Sequence, residues 1–150
     1  MDTVITSWGL YYPSERQTLR ELFVTLQGSL LDLGSGLGDV VEVAYRCGLD
    51  AHGIEGSEAL VAGTKCPDRI THGDYLRSKL AGWDYLYYFL LGCNREKELF
   101  EKLKAEATGR IILTRFNVPE TNLTEACKAL NLKVERTFPN GCIGVIARES

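Results

Sequence analysis

The sequence predicts an α/β fold of three layers. The sheet has about seven strands, mostly parallel, with an antiparallel C-terminal hairpin strand. Three observations lead there. Apolar, strand-like runs alternate with helical stretches for five rounds, a pattern that makes a parallel sheet covered on both faces. The last two apolar runs flank Phe138-Pro139-Asn140-Gly141, where Asn-Gly marks a hairpin. Between the first run and its helix lies Asp32-Leu33-Gly34-Ser35-Gly36-Leu37-Gly38, a glycine-rich turn that brings bare backbone close to a ligand.

The elements follow in order. Pro13-Ser14-Glu15-Arg16-Gln17 starts a helix, with Ser14 as cap and Gln17 completing a capping box. Leu19, Leu22, Phe23 and Leu26 give it one buried face, and Gly28 ends it. A strand over 30–33 runs into the glycine turn. The helix from Asp39 carries Val40, Val41, Val43, Ala44 and Cys47 and stops at Gly48. A strand over 51–55 follows, Ser57 opens a helix towards Cys66-Pro67, and a third strand covers 69–72. Further strands are expected over 84–91 and 110–115, with helices over 95–107 and 121–130. Strands over 133–137 and 142–147 close the chain.

At 150 residues, 45% apolar and 25% charged, the chain fits one domain, 1–150, able to bury its own core. A net charge of −3 gives no global pull towards nucleic acid. No apolar run is long enough to span a membrane, and Met1-Asp2-Thr3-Val4 lacks a basic-then-apolar leader, so a cytoplasmic protein is expected. Five scattered cysteines, at 47, 66, 93, 127 and 142, form no Cys-x-x-Cys pair, and only His52 and His72 accompany them. No metal site is expected; the cysteines read as free thiols of a reducing compartment.

In an open parallel sheet, ligands bind beyond the carboxyl ends of the strands. Asp32, Glu55, Asp74 and the stretch after Phe89 lie at such ends. Glu55 follows the glycine turn by roughly twenty residues, where a carboxylate can accept both hydroxyls of a ribose; alternatively it is a solvated loop acid. Asp74, in Gly73-Asp74-Tyr75, either accepts from an adenine amino group while its neighbours cover the ring, or caps the following helix. The turn either cradles a ligand or only packs helix on strand. Its Gly-x-Gly-x-Gly spacing differs from the Gly-x-Gly-x-x-Gly of dinucleotide enzymes and points away from NAD, towards S-adenosylmethionine. The expected cofactor-binding set is Asp32, Gly34, Ser35, Gly36, Leu37, Gly38, Glu55, Gly56, Ser57, Asp74 and Tyr75.

The run from Leu31 to Gly38 resembles the first motif of the class I, Rossmann-like, S-adenosylmethionine-dependent methyltransferases, with Glu55 matching the ribose-binding acid and Asp74 the adenine-binding one. The resemblance spans nearly the whole chain. It implies a seven-stranded sheet with an antiparallel final strand and a glycine turn against the methionine part of the cofactor. It also implies an Asp32 that organises the turn and helps bind the amino group. More narrowly, Tyr11-Tyr12-Pro13-Ser14 and Tyr88-Phe89-Leu90-Leu91 look similar to segments of small archaeal-type protein-lysine methyltransferases. The lead before Tyr11 is brief and Gly92-Cys93-Asn94 departs from that pattern.

That likeness implies a protein-lysine acceptor, with Tyr12, Tyr88 and Phe89 as candidate catalytic residues in an aromatic channel. Desolvation there lowers a lysine pKa, and aromatic faces tolerate a sulfonium charge. Tyr11 and Tyr87 are further candidates for the channel, though packing explains such aromatics equally well. A small-molecule acceptor and a non-catalytic S-adenosylmethionine-binding module are the alternatives. There is no Asp/Asn-Pro-Pro-Tyr for DNA amino methylation, no Pro-Cys nucleophile and no visible His–Asp pair. The helix over 95–107 alternates Arg95, Lys97, Lys102 and Lys104 with acids, an ion-paired face rather than a nucleic-acid patch.

Overall fold

The computed structural model describes residues 4–6, 9–11, 15–90, 95–115 and 119–148. Its elements are β1 (Val4–Thr6), β2 (Gly9–Tyr11), α1 (Glu15–Phe23), β3 (Ser29–Leu33), α2 (Asp39–Arg46), β4 (Asp50–Glu55), α3 (Glu58–Ala62) and β5 (Ile70–His72). A 3₁₀ turn (Tyr75–Arg77), β6 (Tyr85–Leu90), α4 (Glu96–Glu106), β7 (Arg110–Arg115), α5 (Glu120–Ala129), β8 (Leu132–Phe138) and β9 (Gly141–Ile146) complete it.

Seven strands form one sheet in the order β5-β4-β3-β6-β7-β9-β8. β3 pairs in parallel with β4 and β6, β4 with β5, and β6 with β7; β9 is antiparallel to both β7 and β8. Only β9 therefore runs against the rest, which is the expected architecture. β3, β6 and β7 are rich in buried apolar residues because both faces are covered, whereas β4 contributes Ala51 and Ile54 between polar residues. On one face Leu19, Leu22 and Phe23 of α1 and Val41 and Ala44 of α2 pack over Leu30, Ala51, Tyr87, Ile112 and Ile143. On the other, Leu99 and Leu103 of α4 and Ala126 of α5 pack over Leu31, Leu33, Leu86, Tyr88, Ile111 and Leu113.

Several local expectations are corrected. The antiparallel pair β1–β2 was not foreseen: three-residue strands carry no readable periodicity. α1 ends at Phe23 instead of reaching Gly28. The chain tightens at Val24 and Thr25, where the Thr25 and Leu26 amides donate to Leu22 and Phe23 and the Thr25 hydroxyl also donates to Leu22 O, at 2.6 Å. The helix opened by Ser57 stops at Ala62, capped by the Ser57 hydroxyl, which accepts from the Leu60 amide at 3.4 Å. Phe138 pairs with Gly141, so the hairpin turns on Pro139 and Asn140, the latter at φ 63°, one residue earlier than Asn-Gly suggested. Gly141 instead answers a close approach, since a Cβ there would sit 2.3 Å from the Phe138 ring and 2.6 Å from Leu113 O. Ser14 lies outside the described residues.

Candidate functional site

Strand order reverses between β3 and β6, and the ends of β3, β4 and β5 line the resulting crevice. Gly34, Gly36 and Gly38 hold φ of 88°, 57° and 92°, a backbone that L side chains rarely adopt. A Cβ built at Gly34 or Gly36 meets nothing within 4 Å. The turn thus presents bare backbone to open space, as a cradle must.

The turn is tied down by its own donors. The Gly34 and Ser35 amides donate to Ile54 O at 2.9 and 3.0 Å, and the Gly38 amide donates to Ser35 O at 2.9 Å. Glu55, buried at the end of β4, accepts from the Gly36 amide with one oxygen and from the Ser57 amide with the other, both at 2.8 Å. The solvated-loop alternative for Glu55 is therefore excluded: it is a clasp between the turn and the β4–α3 loop. The turn offers a ligand its shape and its acids, since the amides of Gly34, Ser35, Gly36 and Gly38 are already bonded within the protein.

Asp32, the penultimate residue of β3, is 3% exposed. Burial, and secondarily the charge of Glu55, push its carboxyl up to about 8. A positive charge brought beside Asp32 would favour its ionised form and lower that value. Asp74 is a cap: one oxygen accepts from the Leu76 amide at 2.9 Å, and the other from Arg95 Nη2 at 2.7 Å. The Leu76 bond first and Arg95 second hold its pKa below the ordinary carboxylate range. Arg95 also lies 5.6 Å from the centre of the Tyr75 ring. Arg95, expected on an ion-paired helix face, is ion-paired, but with Asp74 on the crevice side instead of with the acids of its own helix.

Not every expected residue points to the crevice. Ser35 turns back under the turn, buried against Gly53, where a Cβ would sit 2.5 Å from Ser35 Cβ; its hydroxyl has no hydrogen-bond partner among the described residues. The Leu37 side chain packs towards Gly63 of the α3 end, 3.5 Å from where a Cβ there would lie. Gly56 is exposed at the mouth, with only Gly73 O near a built Cβ, at 3.8 Å.

The aromatic channel is corrected too. Tyr88 is 1% exposed, its ring edge-on to Tyr75 and Phe100, and its hydroxyl donates to Glu96 Oε1 at 2.8 Å. Phe89 points to the opposite face of the sheet, as period two demands. The two cannot wall one channel. Tyr12 lies outside the described residues, and so do the side chains of 11 and 13–14. Phe89 instead lines a small concavity with Leu19, Tyr87, Thr114, Phe138 and Asn140, at the carboxyl ends of β6 and β7. Inside it the Thr114 hydroxyl donates to Tyr87 Oη at 2.9 Å. A second groove, lined by Glu106, Ala107, Gly109, Ile146 and Arg148, opens at the other end of the sheet, far from these groups. Among the described residues no group of three or more His, Cys, Asp or Glu is placed to hold a metal, and no helix is long and apolar enough to cross a membrane.

No protein-family model matches the chain, and no curated protein matches its sequence. Solved structures do match its shape. An RNA methyltransferase from Salinibacter ruber, in complex with S-adenosyl-L-homocysteine, superposes with a TM-score of 0.63 at 18% identity, over 93% of this chain and 95% of that one. The ribosomal protein L11 methylase of Lactobacillus delbrueckii subsp. bulgaricus gives 0.67 at 13% identity, over 91% and 80%. The chain has the Rossmann-like methyltransferase fold. Against the mitomycin 7-O-methyltransferase MmcR the TM-score is 0.66 at 11% identity, over 87% of this chain and 53% of that one. The chain thus spans about half of that enzyme's length. In this fold the crevice described above, at the reversal of strand order, is where the sheet offers a ligand site.

Proposed function

We propose that the chain is a methyltransferase that binds S-adenosylmethionine across the ends of β3, β4 and β5. One observation carries this reading: two buried carboxyl groups, Asp32 and Glu55, flank a glycine turn in which the Cβ directions of Gly34 and Gly36 open into free space, while that of Gly38 is closed by Thr64 Oγ1 at 2.8 Å. The cradle fits the group. Asp32 faces its ammonium, and Glu55 its ribose hydroxyls through the lone pairs that Gly36 and Ser57 leave unused. Asp74, besides its cap and Arg95 bonds, turns a remaining lone pair to the adenine amino group, with Tyr75 beside the ring. When bound, S-adenosylmethionine supplies an electrophilic methyl on a sulfonium. The chain's own contribution is alignment and exclusion of water: in-line displacement asks for little acid–base chemistry beyond loss of the acceptor's proton.

For the acceptor, a protein lysine is the first proposal, on the likeness of the two tyrosine-containing segments. The burial of Tyr88 moves its channel to Phe89 and whatever covers it. A small acceptor with a planar or apolar body is the second, favoured by the aromatic concavity of Tyr87, Phe89 and Phe138 beside the crevice. The test is transfer from methyl-labelled S-adenosylmethionine to cell extract, separated into protein, RNA and small-molecule fractions. Label in protein hydrolysing to methyl-lysine, absent with Asp32→Ala, supports the first. Label in small molecules, lost with Phe89→Ala, supports the second. Binding with no transfer to any fraction leaves a cofactor-binding module.

A further inference from the structure

Two sulfurs meet on the sheet face covered by α4 and α5. Cys127 is half-buried near the C-terminal end of α5, and Cys142 is buried, second residue of β9. Their Sγ atoms are 3.6 Å apart. Cys47 and Cys66 are placed differently, each thiol 3.9 Å from a backbone carbonyl, of Arg20 and Gly38. A disulfide holds its sulfurs about 2 Å apart, so the pair has less than about 2 Å to close.

We propose that Cys127 and Cys142 are a modification site: they form a reversible disulfide when the protein meets a hydroperoxide, stapling α5 to β9. Cys127 is the attacking group, because it is the one that solvent reaches. Burial, with Cys127 beside it, pushes the Cys142 thiol up to about 12, which keeps that group protonated and in reserve. The Cys127 thiolate attacks a peroxide oxygen; the S–O bond forms, the O–O bond breaks, and the departing hydroxide takes up the proton that Cys127 released, leaving as water. The Cys142 sulfur then attacks the sulfenic sulfur. The S–S bond forms, the S–O bond breaks, and hydroxide leaves with the Cys142 proton as a second water. Two thiols are oxidised by two electrons and one hydrogen peroxide becomes two waters. β9 continues directly from the turn at Pro139 and Asn140, so the staple also ties the rim of the Phe89 concavity to α5.

The experiment treats the full chain with equimolar hydrogen peroxide, alkylates free thiols and maps peptides without reductant. The expected result is a dominant Cys127–Cys142 linked peptide, a loss of two hydrogens from the intact mass, and recovery of both thiols with dithiothreitol. Oxidation should raise the melting temperature by several degrees in the wild type and leave it unchanged in Cys127→Ser. Accumulation of sulfinic acid on Cys127 without a linked peptide overturns the proposal. So does a linked population dominated by Cys47, Cys66 or Cys93. Cys127→Ala gives a second variant at the half-buried position, so the outcome does not depend on how well Cys127→Ser folds.

Discussion

At the end of β3 a carboxyl group lies 3% exposed beside a second buried acid, with its pKa pushed up to about 8 by burial and then by Glu55. Between the ordinary value of 3.8 and about 8 the folded chain holds a proton that the unfolded chain has released. Stability from this group is thus greatest at acid pH and falls as pH rises to about 8, by up to about 1.4 kcal/mol per unit. Asp50, Asp74 and Glu106, whose pKa values are lowered, act in the opposite sense, losing their contribution as pH falls. Urea denaturation of wild type and Asp32→Asn from pH 5 to 9 separates the two: the variant's relative stability should climb until about pH 8 and then level. Parallel profiles would contradict the buried neutral acid. Glu55→Gln leaves one of the Gly36 and Ser57 amides facing an NH₂ group, and should cost about 1–3 kcal/mol by the same measurement. Gly53→Ala forces a Cβ to within 2.5 Å of Ser35 Cβ and 2.8 Å of Ile70 Cδ1, and should cost about 1–3 kcal/mol while loosening the turn. At this scale the sequence revealed residue types better than directions. Asp32 was legible because it adjoins the glycine turn, and Glu55 because it ends the strand that follows the next helix. The inward turn of Ser35 and the sealing of Tyr88 under Phe100 depend on packing between distant elements, which no local pattern encodes.

Among the elements, α1 is held to α2 by Arg16, whose guanidinium donates to Asp39 at 2.7 Å and to Glu42 at 2.5 Å. Asp39 also accepts from Lys65 at 2.7 Å, so the start of α2, just beyond the glycine turn, is clamped from both sides. These pairs are partly exposed, and Arg16→Ala should cost only about 1 kcal/mol. Its readout is local: amide exchange in 16–23 should quicken, with the amides of β3 and β6 unchanged. The five strands between 29 and 115 and the main helices were legible because strand and helix periods alternate so regularly. The ends were not. β-branched Val24 and Thr25 close α1 early, and the hairpin shifts by one residue because Pro139 takes the first turn position. β8, at one edge of the sheet, carries exposed Lys133, Glu135 and Arg136 and a register shift between Val134 and Arg136, both devices that discourage edge pairing.

For the whole molecule, one topological fact organises the chemistry: the chain lays β3, β4 and β5 outward, then returns past β3 to lay β6 and β7 on its other side. That reversal leaves the crevice over the β3 end, with acids on the cradle side and the Phe89 concavity on the other. The glycine motif marked the crevice in advance, whereas the concavity needs α1, β6, β7 and the hairpin brought together, so no segment announced it. Calorimetric titration of the intact chain with S-adenosylmethionine, and separately with NAD, tests the central claim most directly. The structure predicts saturable binding of S-adenosylmethionine, weakened at least tenfold in both Glu55→Ala and Asp32→Ala, and no heat from NAD. Binding of NAD without S-adenosylmethionine, or S-adenosylmethionine binding indifferent to both substitutions in folded variants, would contradict it.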